Sequence, residues 1–353
     1  MKSKLHRTGP HPLWLHLNAG AAMMAAAVEG DDMLSASQTM LQKSMDGVDA
    51  YHNSQVQSFR RSMDVLAHQN GTRILHYKNW KGKKYVLLIP SLINSWRIFD
   101  IEKEHSFMNY LNNQGLTPLI VDWVQPKENI TLDEYIAHHL KPLIDKIDNI
   151  QGMIGYCMGG TIIAALYSLY PELKQKVAKS VLIAPPWDFS YQTPEQILRL
   201  QGLALQTYAM GNIAPNDFVQ SLFWAIDPLQ VFKKFQKFPH IKNPHRFVMV
   251  EDWLNEGRAV STSVIQTCLL DWYRDNNMKW DDKNLPTQTM IVTGTKDNLV
   301  PLQSSQPLIK NRKAIFVDTG HIGLMASDKS VRQAWKPIAD FLKKDTVIKR
   351  KKS

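Results

Sequence analysis

A cysteine flanked by glycines is the residue with the clearest capacity for chemistry in this 353-residue chain. Cys157 lies within residues 155–160 (Gly-Tyr-Cys-Met-Gly-Gly), between a run that predicts a buried strand and a run that predicts a helix. The pattern Gly-x-nucleophile-x-Gly at such a junction forms a sharp turn that presents the nucleophile, here Cys in place of Ser. The glycines leave room for close backbone packing, and the helix N-terminus favours a thiolate. The pattern predicts covalent catalysis by Cys157.

Two further residues follow in the order that a nucleophile–acid–histidine triad requires. Asp297 comes just after the strand-like run Thr289–Gly294, and His321 follows the next strand-like run, Ala314–Asp318. His321 is therefore the expected general base for Cys157, and Asp297 is expected to orient its imidazole and stabilise the imidazolium.

Backbone amides should complete the site by binding the oxyanion of the tetrahedral intermediate. One is the N–H of Met158, directly after the nucleophile. The other is expected in the loop after the strand-like run Tyr85–Pro90, and we assign it to Leu92 within residues 91–93. The sequence does not decide which amide of that loop is used.

The elements that must position these residues alternate between strand and helix. Apolar runs typical of buried parallel strands are separated by helical patterns, which predicts a mostly parallel sheet covered on both faces. The rhythm breaks over residues 190–284, which are mostly helical in pattern and rich in tryptophan. We predict an α/β-hydrolase fold with a helical cap insertion. The predicted parts are an N-terminal helical segment (1–69), a core (70–189 and 285–342), the cap (190–284) and a basic tail (343–353).

Composition excludes several classes of protein. With 44% hydrophobic and 21% charged residues the chain can bury a large core, which excludes a disordered chain or a coiled coil. Two cysteines exclude a disulfide scaffold and a zinc site built from cysteines. The net charge of +10 divides into +3 over residues 1–28 and +5 over residues 343–353, so 10 − 3 − 5 leaves +2 for the body. Nucleic-acid binding is therefore not expected.

No apolar run approaches the roughly 18–20 residues that a membrane span needs. A signal peptide is considered for Leu13–Val28, but His16 and Asn18 interrupt its apolar part, and Ala and Met also favour an ordinary helix. Unpaired cysteines also fit a reducing compartment, and a cytoplasmic location is expected.

Other chemistry-bearing residues favour structural roles. Cys268 has no flanking glycine and is expected to fill the core. The cap tryptophans are expected to pack, although a lid over an apolar acyl chain would have the same composition. The histidines show no metal-like spacing, and neither a phosphate-binding loop nor a nucleic-acid signature is present. We therefore expect no metal.

With these motifs the sequence resembles the polyhydroxyalkanoate synthases, most closely the short class III catalytic subunit. The likeness runs from about Asn70 to Leu342. It includes the Gly-x-Cys-x-Gly-Gly box and segments 86–94, 122–123, 184–189, 251–253 and 320–323 around it. The family's catalytic Cys, Asp and His fall on Cys157, Asp297 and His321. This chain departs from the family pattern in having Asn298 after the acid and Thr319 two residues before the histidine.

The resemblance implies an acyltransferase that polymerises an (R)-3-hydroxyacyl-coenzyme A, with 3-hydroxybutyryl-coenzyme A as the expected substrate. Cys157 would carry the acyl group as a thioester and release coenzyme A, which is substrate and product; no cofactor is expected. His321 would deprotonate Cys157, and Asp297, directly or through His321, would help activate the 3-hydroxyl of the growing chain. The partners implied are the polyester chain or granule surface and an accessory subunit, with a homodimer as the alternative.

Two other functions remain open at this point. A Cys-dependent hydrolase, such as an intracellular polyester depolymerase or a thioesterase, would use the same triad with water as acceptor. From a different class, the chain could be a granule-associated binding protein on a catalytically inactive hydrolase fold. The basic ends could attract coenzyme A phosphates, a granule or an acidic partner.

Overall fold

The structure, a computed structural model, describes residues 7–13, 15–18, 31–57, 59–80, 82, 84–241 and 243–344, with the backbone alone for residues 31–37. The stretch considered as a signal peptide, Leu13–Val28, lies largely outside these residues, and so do residues 345–353 of the basic tail. Within the described part of the chain, no helix is both long and apolar enough to cross a membrane.

The centre of the molecule is an eight-stranded sheet with the order β1-β2-β4-β3-β5-β6-β9-β10. β1 pairs antiparallel with β2, and β2 with β4, whereas the remaining neighbours are parallel. The strands are β1 (Met63–Gln69), β2 (Thr72–Tyr77), β3 (Tyr85–Ile89), β4 (Thr117–Asp122), β5 (Ile150–Tyr156), β6 (Lys179–Ile183), β9 (Gln288–Gly294) and β10 (Lys313–Val317), with a separate two-stranded pair, β7 (Ile213–Ala214) and β8 (Val260–Ser261).

Helices cover the sheet and form the cap. Those of the N-terminal segment and core are α1 (Asp31–His52), α2 (Phe107–Asn113), α3 (Leu132–Glu134), α4 (Lys141–Asp145), α5 (Met158–Leu169), α6 (Leu173–Lys176), α12 (Leu302–Ile309), α13 (Gly323–Ala326), α14 (Asp328–Ser330) and α15 (Lys336–Lys343). Those of the cap are α7 (Pro194–Thr207), α8 (Asn216–Ile226), α9 (Gln230–Lys237), α10 (Pro244–Asn255) and α11 (Thr262–Gln266). Short 3-10 and π-helical turns extend several of them: Trp96–Asp100, Tyr135–Leu140, Phe238–His240, Thr267–Arg274 and Val331–Trp335.

Apolar residues on both faces of each central strand divide the core into two layers. In β3, Leu87 and Ile89 face one layer, while Val86 and Leu88 face the other. Since successive side chains of a strand point to opposite faces, a continuous apolar run is what a sheet covered on both sides requires. The α/β-hydrolase fold with a mostly parallel sheet and covering helices, predicted from the alternating pattern, is confirmed.

The predicted parts of the chain need one correction. The segment 1–69 is not helical throughout, because β1 (Met63–Gln69) is an edge strand of the core sheet. Val65 and Leu66 of this strand are both about half exposed, so the strand lacks the alternation of buried and exposed residues that would have marked it. The cap, predicted as mostly helical, also contains the short pair β7 and β8.

Candidate active site

Cys157 lies in the turn between β5 and α5 with a strained backbone. Its φ is 56° and its ψ is −129°, a conformation that side-chain-bearing residues seldom adopt. The backbone N–H of Cys157 donates to the carbonyl of Ile183 on β6, at 2.8 Å, and the Gly160 N–H donates back to the Cys157 carbonyl at 2.8 Å. These bonds hold the turn, and they leave the half-buried thiol at the carboxyl end of the sheet.

The glycines of the elbow are required by close contacts with backbone. A Cβ added to Gly155 would lie 2.3 Å from the Gly159 carbonyl oxygen, and one added to Gly159 would lie 2.0 Å from the carbonyl oxygen of Ile89. A Cβ on Gly160 would lie 2.9 Å from Cβ of Pro185. No real Cβ fits at the first two distances. The glycines therefore allow α5 to approach β3 and β5 closely enough to form the elbow.

His321 and Asp297 form a buried hydrogen-bonded pair. Nδ1 of His321 lies 2.7 Å from Oδ2 of Asp297. The other carboxylate oxygen of Asp297 accepts the backbone N–H groups of Leu299 at 3.0 Å and Val300 at 2.8 Å. The loop after β9 thus fixes the carboxylate, and the carboxylate orients the imidazole, with Nε2 left for proton transfer.

The charge on His321 is set by its neighbours. Burial disfavours the imidazolium, but the charges of Asp297 and Cys157 and the hydrogen bonds to them outweigh burial and raise the pKa of His321 to about 10. At neutral pH the histidine therefore holds a proton beside Cys157. Such a pair can protonate a leaving thiolate without recruiting a proton from solvent.

The backbone N–H groups of Met158 and Leu92 are those expected to bind the oxyanion. Met158 is the first residue of α5, so its N–H has no intrahelical acceptor. Leu92 is buried in the loop after β3. In that loop the N–H of Ile93 donates to Oγ of Ser91 at 3.2 Å, which favours Leu92 over Ile93 for binding an oxyanion.

Three aromatic residues that position the site were not assigned a role from the sequence. The indole of Trp123 donates to the Pro90 carbonyl at 3.0 Å, and that of Trp253 donates to the Ser95 carbonyl at 2.8 Å. The hydroxyl of Tyr156 donates to the backbone carbonyl of His321 at 3.2 Å. The only signal in the sequence was that these residues lie inside the segments that carry the family likeness.

Cys268 differs from Cys157 in its surroundings. It is buried in the π-helical turn Thr267–Arg274 of the cap and packs in the apolar core. Burial raises the pKa of its thiol far above the ordinary value, so the group stays protonated and unreactive. Its surroundings agree with a core-filling role.

The site opens into a cavity of about 380 Å³, within the usual range of small-molecule pockets. The core contributes Cys157, Tyr156 and His321, and the cap contributes residues of α8, α9 and α10, Trp224 among them. Residues of the N-terminal segment complete the wall. An apolar acyl group attached to Cys157 would fit into this space.

Comparison with known proteins agrees with the geometry. The poly(3-hydroxyalkanoate) polymerase subunit PhaC of Haloferax mediterranei is 25% identical over 82% of this chain and 65% of its own length. The subunit of the same name from Thiocystis violacea is 23% identical over 74% of this chain and 81% of its own. The resemblance to polyhydroxyalkanoate synthases is thereby confirmed over most of the chain. This chain spans slightly less than two thirds of the haloarchaeal relatives' length.

The fold is also found among solved structures. An esterase from Exiguobacterium antarcticum superimposes with a TM-score of 0.52 at 14% sequence identity, over 80% of this chain and 98% of that protein. The profile of the alpha/beta hydrolase fold family matches residues 84–328, which include Cys157, Asp297 and His321. The chain therefore belongs to the alpha/beta hydrolase fold family.

Proposed function

We propose that this protein is an acyltransferase that polymerises (R)-3-hydroxyacyl-coenzyme A into polyhydroxyalkanoate through a thioester on Cys157. The observation that carries the proposal is a cysteine at the elbow beside a buried histidine–carboxylate pair. The similarity to polymerase subunits over most of the chain supports a second acyl unit, rather than water, as the acceptor.

The first step is transfer of the acyl group to the enzyme. The sulfur of Cys157, whose proton His321 holds, attacks the thioester carbonyl, while the N–H groups of Met158 and Leu92 stabilise the oxyanion. The new C–S bond to Cys157 replaces the C–S bond to coenzyme A, and the imidazolium of His321 gives its proton to the departing thiolate. Thiol–thioester exchange is nearly balanced, so the acyl group stays activated.

The second step forms the polymer. The 3-hydroxyl of another acyl unit attacks the thioester carbon, and the neutral His321 takes the hydroxyl proton, helped by Asp297. An ester C–O bond forms, the C–S bond to Cys157 breaks, and the enzyme returns to its starting protonation state. Water in the cavity would hydrolyse the intermediate instead, so the cap that covers Cys157 favours synthesis over hydrolysis.

Incubation of the pure protein with 3-hydroxybutyryl-coenzyme A tests the proposal. We expect release of coenzyme A together with insoluble polyester, and a protein mass increased by acyl units on Cys157. Free 3-hydroxybutyrate in amounts equal to the released thiol would contradict synthesis and identify a hydrolase. No turnover and no acyl-enzyme, together with a Cys157 thiol that does not react with iodoacetamide, would identify a non-catalytic binding protein.

The two cysteines give a matched pair of variants for the same assay. Cys157→Ala should abolish thiol release and the acyl-enzyme, because it removes the nucleophile. Cys268→Ala should keep turnover while lowering stability, since it truncates a buried side chain. The reverse result in folded proteins would show that the nucleophile is wrongly assigned.

The proposed partners are the polyester granule and either an accessory subunit or a second copy of this chain. A fluorescent fusion should coincide with granules stained by a lipophilic dye in polymer-producing cytoplasm, and diffuse fluorescence would contradict this. Light scattering of the pure protein, before and after substrate is added, distinguishes a monomer that needs an accessory subunit from a homodimer.

A further inference from the structure

A short segment near the N-terminus forms part of the wall of the cavity that contains Cys157. We define the strap as residues 7–13 and 15–18. Its residues Pro10, His11 and His16 line the cavity from the cap side, together with α9 and α10. Pro10 and His16 are buried in the folded chain, so they form an inner wall rather than the rim of an opening.

Arg7 anchors the beginning of the strap. Its guanidinium makes a two-pronged ion pair with Asp252 of α10, with Nε–Oδ1 at 2.7 Å and Nη2–Oδ2 at 2.9 Å. It also donates to the carbonyls of Ser54 at 2.6 Å and Val56 at 2.5 Å. Both partners of the ion pair are almost inaccessible to solvent. A buried bidentate pair with further hydrogen bonds is strongly directional, so it fixes the strap against the cap.

A second set of contacts fixes the middle of the strap. The backbone N–H of His11 donates to Oδ1 of Asn255 at 2.9 Å, and Nε2 of His52 bonds the carbonyl of Gly9 at 2.5 Å. A Cβ added to Gly9 would lie 2.3 Å from the side chain of Asn255. The strap therefore passes in direct contact with α10.

The strap has no space to retreat from the cavity. Leu13 and Leu17 lie against α1 and α9. The empty space between these two leucines and the two helices has a volume of only about 10 Å³. A space of that size holds at most one water molecule. An acyl chain that reached the strap would consequently meet a supported wall.

The imidazole of His16 is compatible with an apolar ligand. Burial, and to a smaller extent the charge of Lys234, lowers the pKa of His16 to about 4. The side chain is uncharged at neutral pH, and its Nε2 is engaged with the carbonyl of His11 at 3.1 Å. It therefore presents an uncharged ring to the cavity.

We propose that the strap sets the maximum length of the acyl group that can occupy the cavity at Cys157. This inference rests on the proposed function for the identity of the ligand but not for the existence of the wall. Loosening the strap, or shortening a side chain that faces the cavity, should therefore admit longer chains.

The wall can be tested with probes that need only the thiol and the cavity. N-butyl and N-octyl chloroacetamide alkylate Cys157 with loss of HCl, and peptide mass mapping locates the label. In Arg7→Ala the octyl-to-butyl ratio of rates should rise about tenfold or more, since single methylenes in a tight apolar pocket change rates by about 10–200-fold.

Two further variants complete the test. Arg60→Ala removes a nearby arginine that pairs with Glu256 and does not touch the strap, so its ratio should equal that of the wild type. Arg7→Ala leaves Asp252 buried without its cation and can impair folding, so a second variant is needed. His16→Ala shortens a side chain of the wall and keeps the Arg7 anchor. It should also raise the ratio.

Different results test the role of the strap and the proposed function. An unchanged ratio in folded His16→Ala and Arg7→Ala would overturn the role of the strap. Failure of 3-hydroxybutyryl-coenzyme A to acylate Cys157 would instead overturn the proposed function and leave the alkylation result standing. With active enzyme, the same variants should shift coenzyme A release from four-carbon toward eight-carbon substrates.

Discussion

The proposed triad combines one strained turn with two ordinary loops. The turn holds Cys157, and the loops hold Asp297 and His321. The strain falls on Cys157, whose backbone is held by bonds to β6 and α5. The carboxylate of Asp297 is held by two backbone N–H groups instead. Main-chain contacts therefore hold Cys157 and Asp297 separately, and a change of the Cys157 side chain should leave the Asp297–His321 pair in place.

The raised pKa of His321 makes stability depend on pH. Its ordinary pKa is 6.5, and its pKa in the folded protein is about 10. Below pH 6.5 the folded and unfolded states both hold the proton, and the stabilisation is complete. Between pH 6.5 and 10 only the folded state holds it, so the stabilisation falls as pH rises and is lost above pH 10.

We predict that Asp297→Asn weakens this dependence, because it removes the charge that stabilises the imidazolium. The difference in Tm between the wild type and the variant should narrow as pH rises from 6.5 to 10. Thermal melts across that range measure it. Asp318→Asn is the control, since exposed Asp318 titrates far below this window, with its pKa lowered to about 2 by Lys296 and Lys329. A difference that stays constant with pH would contradict the assignment.

Sequence patterns predicted these residues because local signals mark them. A Gly-x-Cys-x-Gly box can be recognised without any knowledge of the fold, and Asp297 and His321 lie just after predicted strands. The roles of Trp123 and Trp253 had no such signal. Each indole donates to a carbonyl far away in the sequence, Pro90 and Ser95 respectively, and a long-range bond leaves no mark in the neighbouring residues.

At the scale of elements, the junction of β5 and α5 is the most constrained part of the fold. We predict that Gly159→Ala destabilises the protein by about 3 kcal/mol or more, because its Cβ would lie 2.0 Å from the Ile89 carbonyl oxygen. Overpacking typically costs about 1–3 kcal/mol, and a clash with backbone at this distance belongs at or above the upper end. Denaturant unfolding measures the loss, and soluble protein of wild-type stability would contradict it.

Gly202 supplies the matched control for this prediction. It lies in the cap helix α7, is exposed, and has no atom within 4 Å of the position that a Cβ would take. Gly202→Ala should therefore stabilise the protein by up to about 1 kcal/mol, because Ala is the better helix former. Replacement of Gly by Ala is thus expected to lower the stability of the protein in α5 and to raise it in α7.

Most central elements were predictable, whereas elements at the edges were not. β3 is buried on both faces and appears in the sequence as an uninterrupted apolar run. β1 lies at the edge, where Val65 and Leu66 are both exposed and a bulge shifts the register between Val65 and Ala67. Two adjacent exposed apolar residues break the alternation of apolar and polar residues that identifies a strand, so β1 was included in the helical segment.

At the scale of the whole molecule, the cap is joined to the core by an ionic cluster centred on Arg246. From α10 this side chain donates to Glu102 at 2.5 Å, to Asp328 at 2.6 Å and to the carbonyl of Ala326 at 3.2 Å. Glu102 and Ala326 belong to the core, and Ala326 ends the helix that follows His321. The cluster couples the position of the cap to the loop that holds His321.

We predict that Arg246→Ala loosens the cap. Limited proteolysis should cut within residues 190–284 about 5–30-fold faster than in the wild type, which corresponds to a loss of one or two kcal/mol in closing the cap. Arg274→Ala is the control, because exposed Arg274 pairs only with its neighbour Asp275 among the ion pairs of the described residues. Equal rates for both variants would contradict the role of the cluster.

The insertion of the cap also has a consequence for how the chain acquires its structure. β6 and β9 are parallel neighbours in the sheet, with Lys179 opposite Gln288, and the whole cap lies between them in sequence. Bringing the ends of a flexible loop of roughly 100 residues together costs about 4 kcal/mol of chain entropy. Helices of the cap that form early would shorten the effective loop. Mutations in the cap should therefore change the folding rate of the eight-stranded sheet even where they leave the sheet itself unchanged.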